Sequence, residues 1–231
     1  MSDFIAGINE LFSNPTYLES LKRGFSLTLI IAFSSALIGL FIGIVVALVA
    51  IAKSRPWLII PKAFCRFYTT VIRGTPMALQ LFIMFYIIFA IRGFPEIIIA
   101  ILAFGINSGA YVSENIRAGF LSVDRGQKEA GLALGLPRSI VMRKIIAPQA
   151  FKNCIPSIGN EIVALIKETS IVSMIGMYDL NMAAKDIGSG KNMASYIIPM
   201  FVVALFYLAM VYLITFVVRN IERKLRKSDI G

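Results

Sequence analysis

The feature that most constrains this chain is a run of 26 residues, LTLIIAFSSALIGLFIGIVVALVAIA at positions 27–52, that contains no charged side chain. A helix of about 20 apolar residues crosses the hydrocarbon core of a bilayer, so the run is long enough to span one. A second run, SYIIPMFVVALFYLAMVYLITFVV at 195–218, has the same character. Charged residues make up only 16% of the sequence, which is too little polar cover for a soluble domain of this size. The sequence therefore predicts an all-α, polytopic membrane protein.

Hydropathy predicts about five transmembrane helices within one membrane domain that covers residues 23–220. The predicted spans lie at about 25–52, 63–91, 95–120, 156–176 and 195–218. Before them, residues 1–22 carry apolar side chains at helical spacing, which predicts an amphipathic segment in the membrane interface that ends at Asn14-Pro15. After them, residues 221–231 form a basic tail.

The distribution of Lys and Arg predicts the orientation of the chain. Sixteen of the 23 basic residues lie on one side of the predicted spans, in the 53–66 loop, the 117–152 segment and the residues after 218. Because cytoplasmic segments carry the excess of basic residues, we expect the N-terminus outside and the C-terminus inside the cell membrane. Anionic lipid headgroups, and not nucleic acid, then account for the net charge of +10. The 121–155 segment becomes a cytoplasmic loop between the third and fourth spans.

The residue inventory argues against an enzyme and against a metal protein. Histidine is absent, which removes the commonest general base and a common zinc ligand. The two cysteines, Cys65 and Cys154, are too few and too distant for a cysteine-based metal site. No G-x-x-x-x-G-K-[ST] motif occurs, so any nucleotide hydrolysis must belong to another chain. We expect no cofactor on this chain.

The cytoplasmic loop contains the stretch RGQKEAGLALGLP, residues 125–137, which predicts a helical hairpin. Residues 129–134 form a short helix with the acidic Glu129 in its first turn, and Gly135 ends it. Pro137 then opens a second helix over about 138–147. These residues alone leave two alternatives open, namely an amphipathic hairpin on the inner leaflet or a docking element for a cytosolic partner.

The spacing within this loop resembles a known signature. Glu129-Ala130-Gly131, three residues, Gly135, nine residues, Ile145, one residue and Ala147-Pro148 are similar to the EAA motif of bacterial ATP-binding-cassette importer permeases. The chain departs from that pattern at two positions, with Gly131 in place of alanine and Ala147 in place of leucine. Further stretches are similar to the polar and basic amino acid branch of that family, and the likeness covers about residues 20–220. They are RGTPMALQLF, AYVSENIRAG, SVDRGQKEAGLALGL and IKETSIVSMIG.

The resemblance implies a division of labour. In such permeases the loop is a coupling helix that docks on an ATPase subunit, and here Glu129, Ala130, Gly131 and Gly135 would make that contact. ATP and Mg²⁺ would be bound by the partner ATPase. The other implied partners are an extracytoplasmic amino-acid-binding protein and a second permease copy, either identical or a close paralogue.

Charged and polar residues inside the predicted spans are costly and usually face a cavity or each other. The residues that we expect to form the substrate site are Tyr68, Arg73, Thr75, Glu114, Arg117, Asn160 and Glu161. Two acids exceed what a neutral amino acid needs, so a basic substrate is favoured, with arginine first and lysine or histidine next. The carboxylate of the substrate would bind Arg73, Arg117 or backbone amides near Thr75.

Alternatives to this site remain. Glu114 and Arg117 stand three residues apart on one helix face and could form a structural ion pair, and Tyr68 could be an interfacial anchor. The substrate could instead be a neutral polar amino acid such as glutamine. More remote is an ion-coupled secondary transporter or channel that uses the intramembrane acids.

Overall fold

The computed structural model describes residues 2–53, 55–189 and 193–227, and the described part of the chain consists of helices joined by short turns, with no strand. In chain order the helices are α1 Ser2–Ser13, α2 Pro15–Ile51, α3 Ile59–Arg73, α4 Met77–Ile83, α5 Glu96–Leu121, α6 Arg125–Ala133, α7 Arg138–Ile140, α8 Ala147–Glu168, α9 Leu180–Ser189 and α10 Met193–Lys227. Two π-helical turns, Met84–Ile88 and Val141–Ile146, and two 3₁₀ segments, Pro56–Leu58 and Thr169–Ile175, complete the structure. The predicted all-α fold is confirmed.

The number of spans is lower than predicted when length and hydropathy are applied to the described helices. Pro15–Ile51, Glu96–Leu121 and Tyr196–Leu225 are each long and apolar enough to cross a membrane. A fourth span results if Pro56–Arg73 and Met77–Ile88 together count as one broken span. The span predicted at 156–176 is not among them, because α8 is rich in polar residues and ends in a 3₁₀ segment at 169–175. Five spans therefore stay a prediction.

Two helix boundaries differ from the predicted ones. The helix α2 begins at Pro15, ten residues before the predicted span, because Pro15 suits a first helical position and the Asn14 side chain accepts a hydrogen bond from the Thr16 amide at 3.0 Å. Gly24 does not interrupt this helix; it lies against the Asp179 backbone, where a Cβ would come within 2.7 Å of the carbonyl oxygen. The span predicted at 63–91 is broken near its middle, since α3 ends at Arg73 and Pro76 caps α4.

The described residues divide into two compact units. The first comprises Met1–Ala36, Pro76–Phe104 and Val163–Leu213, and the second comprises Leu37–Thr75, Gly105–Ile162 and Ile214–Gly231. The core of the first unit is apolar, and Ile31, Leu81, Phe104, Leu165 and Val172 in it are at most 1% exposed. Within a bilayer, the close packing of such side chains holds the helices together, since lipid tails are as apolar as the side chains themselves.

The second unit is packed through glycines. A Cβ on Gly39 or Gly43 of α2 would lie 2.8 Å from Ser108 Cβ or 2.5 Å from a Val112 methyl of α5. A Cβ on Gly109 of α5 would likewise lie 2.7 Å from the Ile42 side chain. Small residues spaced four apart let two helices approach closely, as is common in membrane proteins. This close approach fixes α5 against α2, and the candidate site lies on the same two helices and α3.

Candidate functional site

Three predicted site residues meet in the second unit. The Glu114 carboxylate of α5 accepts hydrogen bonds from Arg117 Nη2 at 2.7 Å and Arg117 Nε at 3.1 Å. Arg73, at the end of α3, brings Nη1 to 3.7 Å from the same carboxylate oxygen, and its guanidinium lies 5.5 Å from the centre of the Tyr111 ring. Glu114 is therefore clamped between two arginines. The ion pair that the sequence left as an alternative role is present.

This clamp borders a cavity of about 700 Å³. Its wall is formed by the last turns of α2, one face of α3 and the face of α5 that carries Glu114. The lining residues are Val46, Ala47, Ala50, Lys62, Cys65, Arg66, Thr69, Thr70, Arg73, Gly74, Ser113, Glu114 and Arg117. A volume of this size can hold a small molecule with several polar contacts.

The hydroxyl groups of Tyr68 and Thr75 donate hydrogen bonds to backbone carbonyl oxygens, and neither residue is in the described lining of the cavity. The Tyr68 hydroxyl donates to the Ile106 carbonyl oxygen at 2.5 Å, which ties α3 to α5. The Thr75 hydroxyl donates to the Val71 carbonyl oxygen at 2.9 Å and so closes the last turn of α3. In the described contacts both residues shape the wall that carries Arg73.

Asn160 and Glu161 lie on α8, where Asn160 is exposed and Glu161 is partly buried. Neither is among the described residues that line the cavity beside Glu114. The structure thus brings Arg73, Glu114 and Arg117 to one cavity and leaves the predicted pair on α8 outside it.

The cavity also contains residues that the sequence argument did not assign to a site. Lys62, Arg66, Thr69 and Arg73 are spaced four, three and four residues apart, so they follow one another along a single face of α3. That spacing was visible in the sequence. The first two cations were instead explained by lipid headgroups.

The cytoplasmic loop forms the predicted hairpin with different boundaries. The first helix, α6, begins at Arg125 and not at Glu129, because the Asp124 side chain caps it by accepting a hydrogen bond from the Gly126 amide at 2.6 Å. It ends at Ala133, and the predicted Gly135, whose φ of +75° is left-handed, stops it from continuing. The Leu136 amide bonds to the Gly131 carbonyl at 3.2 Å and the Gly135 amide to the Leu132 carbonyl at 3.0 Å, which together form a Schellman cap.

The second arm of the hairpin is not the separate helix predicted over 138–147. It comprises α7 and the π turn Val141–Ile146, and it continues directly into α8. The proline at 148 supplies a physical reason, because it has no N–H with which to continue the α-helical hydrogen-bond pattern, and a π turn accommodates the missing donor.

The hairpin presents a small-residue surface to solvent. Glu129, Ala130 and Gly135 are exposed, and so is Leu134, at 79%. Gly131 is the exception among the predicted coupling residues, because it is buried and a Cβ there would lie 3.0 Å from both Val141 and Ile145. Leu134 was not predicted to be part of this exposed surface, although an apolar residue directly before the glycine that ends a helix is a pattern that could have indicated it.

Comparison with known proteins shows which family the chain belongs to. Residues 39–227 match the family described as "Binding-protein-dependent transport system inner membrane component". The chain belongs to this family. The resemblance drawn from the loop motif is thereby confirmed, and so is the assignment of the chain as a multi-pass protein of the cell membrane.

Relatives in this family match along nearly the whole chain. The arginine transport system permease protein ArtQ of Bacillus subtilis is 41% identical over 98% of this chain and 99% of its own length. A putative glutamine transport system permease protein GlnP of Rickettsia felis is 40% identical over 88% and 91%. The crystal structure of an amino acid ABC transporter with histidines superposes with a TM-score of 0.82 at 35% identity, covering 93% of this chain and 98% of that one.

Proposed function

We propose that this protein is the permease subunit of an ATP-driven amino acid importer and that it forms the translocation path. The observation that carries the proposal is the near full-length similarity to permeases named for arginine and for glutamine transport, within a family defined by dependence on a binding protein. Family membership favours this function over an ion-coupled secondary transporter or channel.

The hairpin between α5 and α8 is the proposed contact with a separate ATPase. Glu129, Ala130 and Gly135 are exposed there, and small side chains allow a partner backbone to approach closely. Gly131 supports this surface from behind by allowing α6 to pack on the π turn at 141–146. ATP and Mg²⁺ would be bound by the ATPase, which would hydrolyse the ATP, so the permease itself is a transport subunit and not an enzyme.

The proposed assembly contains two ATPase subunits, an extracytoplasmic amino-acid-binding protein and two permease subunits. A lone permease with few spans would expose its intramembrane charges to lipid, and a symmetric or pseudo-symmetric pair avoids that cost by facing them together. The second permease copy is either identical or a close paralogue.

The proposed substrate is a basic amino acid, with arginine first and lysine or histidine next. The Glu114 carboxylate contacts Arg117 and Arg73, and we assign Glu161, with Asn160 beside it, to the cationic side chain of the substrate. The arginines at 73 and 117, with backbone amides near Thr75, are assigned to the substrate carboxylate. Tyr68 orients α3, the helix that carries Arg73, through its hydrogen bond to α5.

A neutral polar amino acid such as glutamine is the second candidate. Two observations favour it. The GlnP relative is 40% identical over 88% of this chain, and the Glu114 carboxylate is matched by cations of the protein itself. A site with one acid fewer suits a substrate without a side-chain charge.

Uptake by the reconstituted transporter, in competition with each amino acid in turn, tests the substrate proposal. We expect arginine to compete best and Glu161→Gln to lower arginine uptake at least about tenfold, because a substrate cation would lose its charge partner. Basal ATP hydrolysis should change much less. Glu19→Gln, which removes an exposed acid elsewhere, is the matched control and should leave uptake intact. Unchanged arginine uptake in Glu161→Gln contradicts the assignment of that residue, and stronger competition by glutamine favours the second candidate.

A further inference from the structure

The helix α3 has two chemically opposite faces. Ile60, Phe64 and Phe67 point outward from the unit and are 80%, 69% and 66% exposed. The other face carries Lys62, Arg66 and Arg73 and forms one wall of the cavity beside Glu114. Along the helix axis these cations extend over roughly 16 Å at ~1.5 Å per residue. We call this row of three side chains the cation ladder.

The charges around the cavity do not balance. Four of its lining residues are cationic, one of which, Lys62, also donates a hydrogen bond to the Ala52 carbonyl oxygen just after α2, and Glu114 is the one acid in the described lining. That acid is already bound by Arg117 and approached by Arg73. Charges near a membrane interior are costly unless a counter-charge is present, and a cavity lined by one sign concentrates ligands of the opposite sign. The cavity is therefore built for an anionic group.

An amino acid supplies such a group whatever its side chain, because its α-carboxylate is ionised at neutral pH. A cavity of about 700 Å³ is large enough for an amino acid together with water. Guanidinium and ammonium groups bind carboxylates through charge-assisted hydrogen bonds, and Thr69, Thr70 and Ser113 place polar side chains between the cations.

We propose that the ladder Arg73, Arg66 and Lys62 binds the substrate carboxylate in successive positions and guides the amino acid out of the permease along α3. This inference rests on the proposed amino acid transport and adds Lys62 and Arg66 to the residues that handle the substrate. The ladder runs toward the 53–66 loop, which the basic-residue bias places in the cytoplasm. Because the ladder repels a substrate cation, it orients a basic amino acid with its carboxylate toward the ladder and its side chain away from it.

Cys65 provides a reporter inside the cavity. It lies on the cavity wall beside Arg66, whereas Cys154, the second cysteine of the chain, is only 2% exposed. In the assembled transporter, the rate of modification at Cys65 is measured by mass spectrometry with two thiosulfonate reagents of similar size and opposite charge. We expect the anionic reagent to react about tenfold or more faster than the cationic one, because a positive cavity concentrates anions.

Variants locate the source of this preference. Arg66→Gln and Lys62→Gln should each lower the anion-to-cation rate ratio several-fold. Arg55→Gln, which removes a cation of the same loop region outside the cavity lining, should leave it unchanged. Equal rates for the two reagents in the unmodified protein overturn the proposal without any substitution.

Protection of Cys65 by ligands tests the carboxylate itself. Arginine should slow modification, and argininamide, which keeps the cationic side chain but lacks the carboxylate, should protect at least about tenfold more weakly. Glutamine and glutaminamide should behave in the same way if the transporter carries glutamine, so failure of the arginine assignment is distinguishable from failure of the ladder. Equal protection by acid and amide overturns the proposal, and so does protection by anionic phospholipid with none by amino acids.

Discussion

At the scale of single residues, Glu114 is the position at which a structural role and a substrate role make different predictions. Its carboxylate is 2.7 Å from Arg117 and 3.7 Å from Arg73, and its side chain is 26% exposed. Removing one partner of an ion pair leaves the other charge uncompensated, to an extent that solvent reduces here, whereas removing both does not. A double-mutant cycle therefore separates the two roles.

We expect Glu114→Gln to lower the thermal stability of the purified transporter and the double variant with Arg117→Gln to recover part of that loss. The coupling should be on the order of 1 kcal/mol, reduced by solvent because the Arg117 side chain is 44% exposed. Unfolding followed by intrinsic fluorescence in detergent measures all four corners of the cycle. Additive effects on stability, with loss of uptake in both single variants, would contradict the structural role.

Gly135 is the second residue with a definite physical requirement. Its φ of +75° is left-handed, and a Cβ there would meet no atom within 4 Å, so a substitution acts through backbone strain alone. Gly135→Ala should cost about 1–2 kcal/mol in that conformation and weaken ATPase binding by roughly tenfold. Co-purification with the ATPase at graded concentrations measures this.

Gly93 offers a matched control for that variant. It has a φ of +83° with no atom near the Cβ position, and it lies in the segment between α4 and α5, outside the hairpin. Gly93→Ala should therefore impose similar strain and leave ATPase binding unchanged. Equal loss of ATPase binding in the two variants would contradict the proposed role of the hairpin.

At the scale of helices, the packing of α2 on α5 depends on the absence of side chains. Gly43→Ala would place a methyl group 2.5 Å from Val112 and 3.1 Å from the Ser113 amide. Overpacking of this kind costs about 1–3 kcal/mol. We expect a lower thermal midpoint in detergent for Gly43→Ala and partial recovery when Val112→Ala is added.

A change on the exposed side of α2 is the control for that effect. Leu48 is 59% exposed, and Leu48→Ala should change stability by no more than about 0.5 kcal/mol. If the thermal midpoint of Gly43→Ala equals that of the unmodified protein, the two helices do not approach as closely as described.

The same scale shows what sequence could predict. The two longest apolar runs became parts of α2 and α10, and the helix predicted at 95–120 is α5, because hydropathy follows directly from composition. The turn at Gly135 was predictable because a left-handed helix cap favours glycine. The beginning of α2 at Pro15 and the π turn at 141–146 were missed, since both depend on single hydrogen bonds near prolines.

The site was only partly predictable for a different reason. Spacing along one helix shows that Glu114 and Arg117 share a face, and the structure has them in contact. Spacing cannot show which faces of different helices meet. The structure places Arg73, from another helix, beside Glu114, whereas Asn160 and Glu161 lie outside the described lining of that cavity.

At the scale of the whole molecule, the chain combines a polar cavity with a hairpin that presents small residues, and it carries no nucleotide-binding motif in its sequence. The family match supports a subunit that works with a binding protein. We therefore propose that the translocation path belongs to this chain and the energy source to another.

The most direct test is uptake of labelled arginine into liposomes that contain the permease with its ATPase, with binding protein outside and ATP inside. We predict accumulation of arginine only when ATP and the binding protein are both present, and reduced accumulation for Gly135→Ala at unchanged ATPase content of the vesicles. Accumulation by the permease alone under an ion gradient, with no requirement for ATP, would contradict the account.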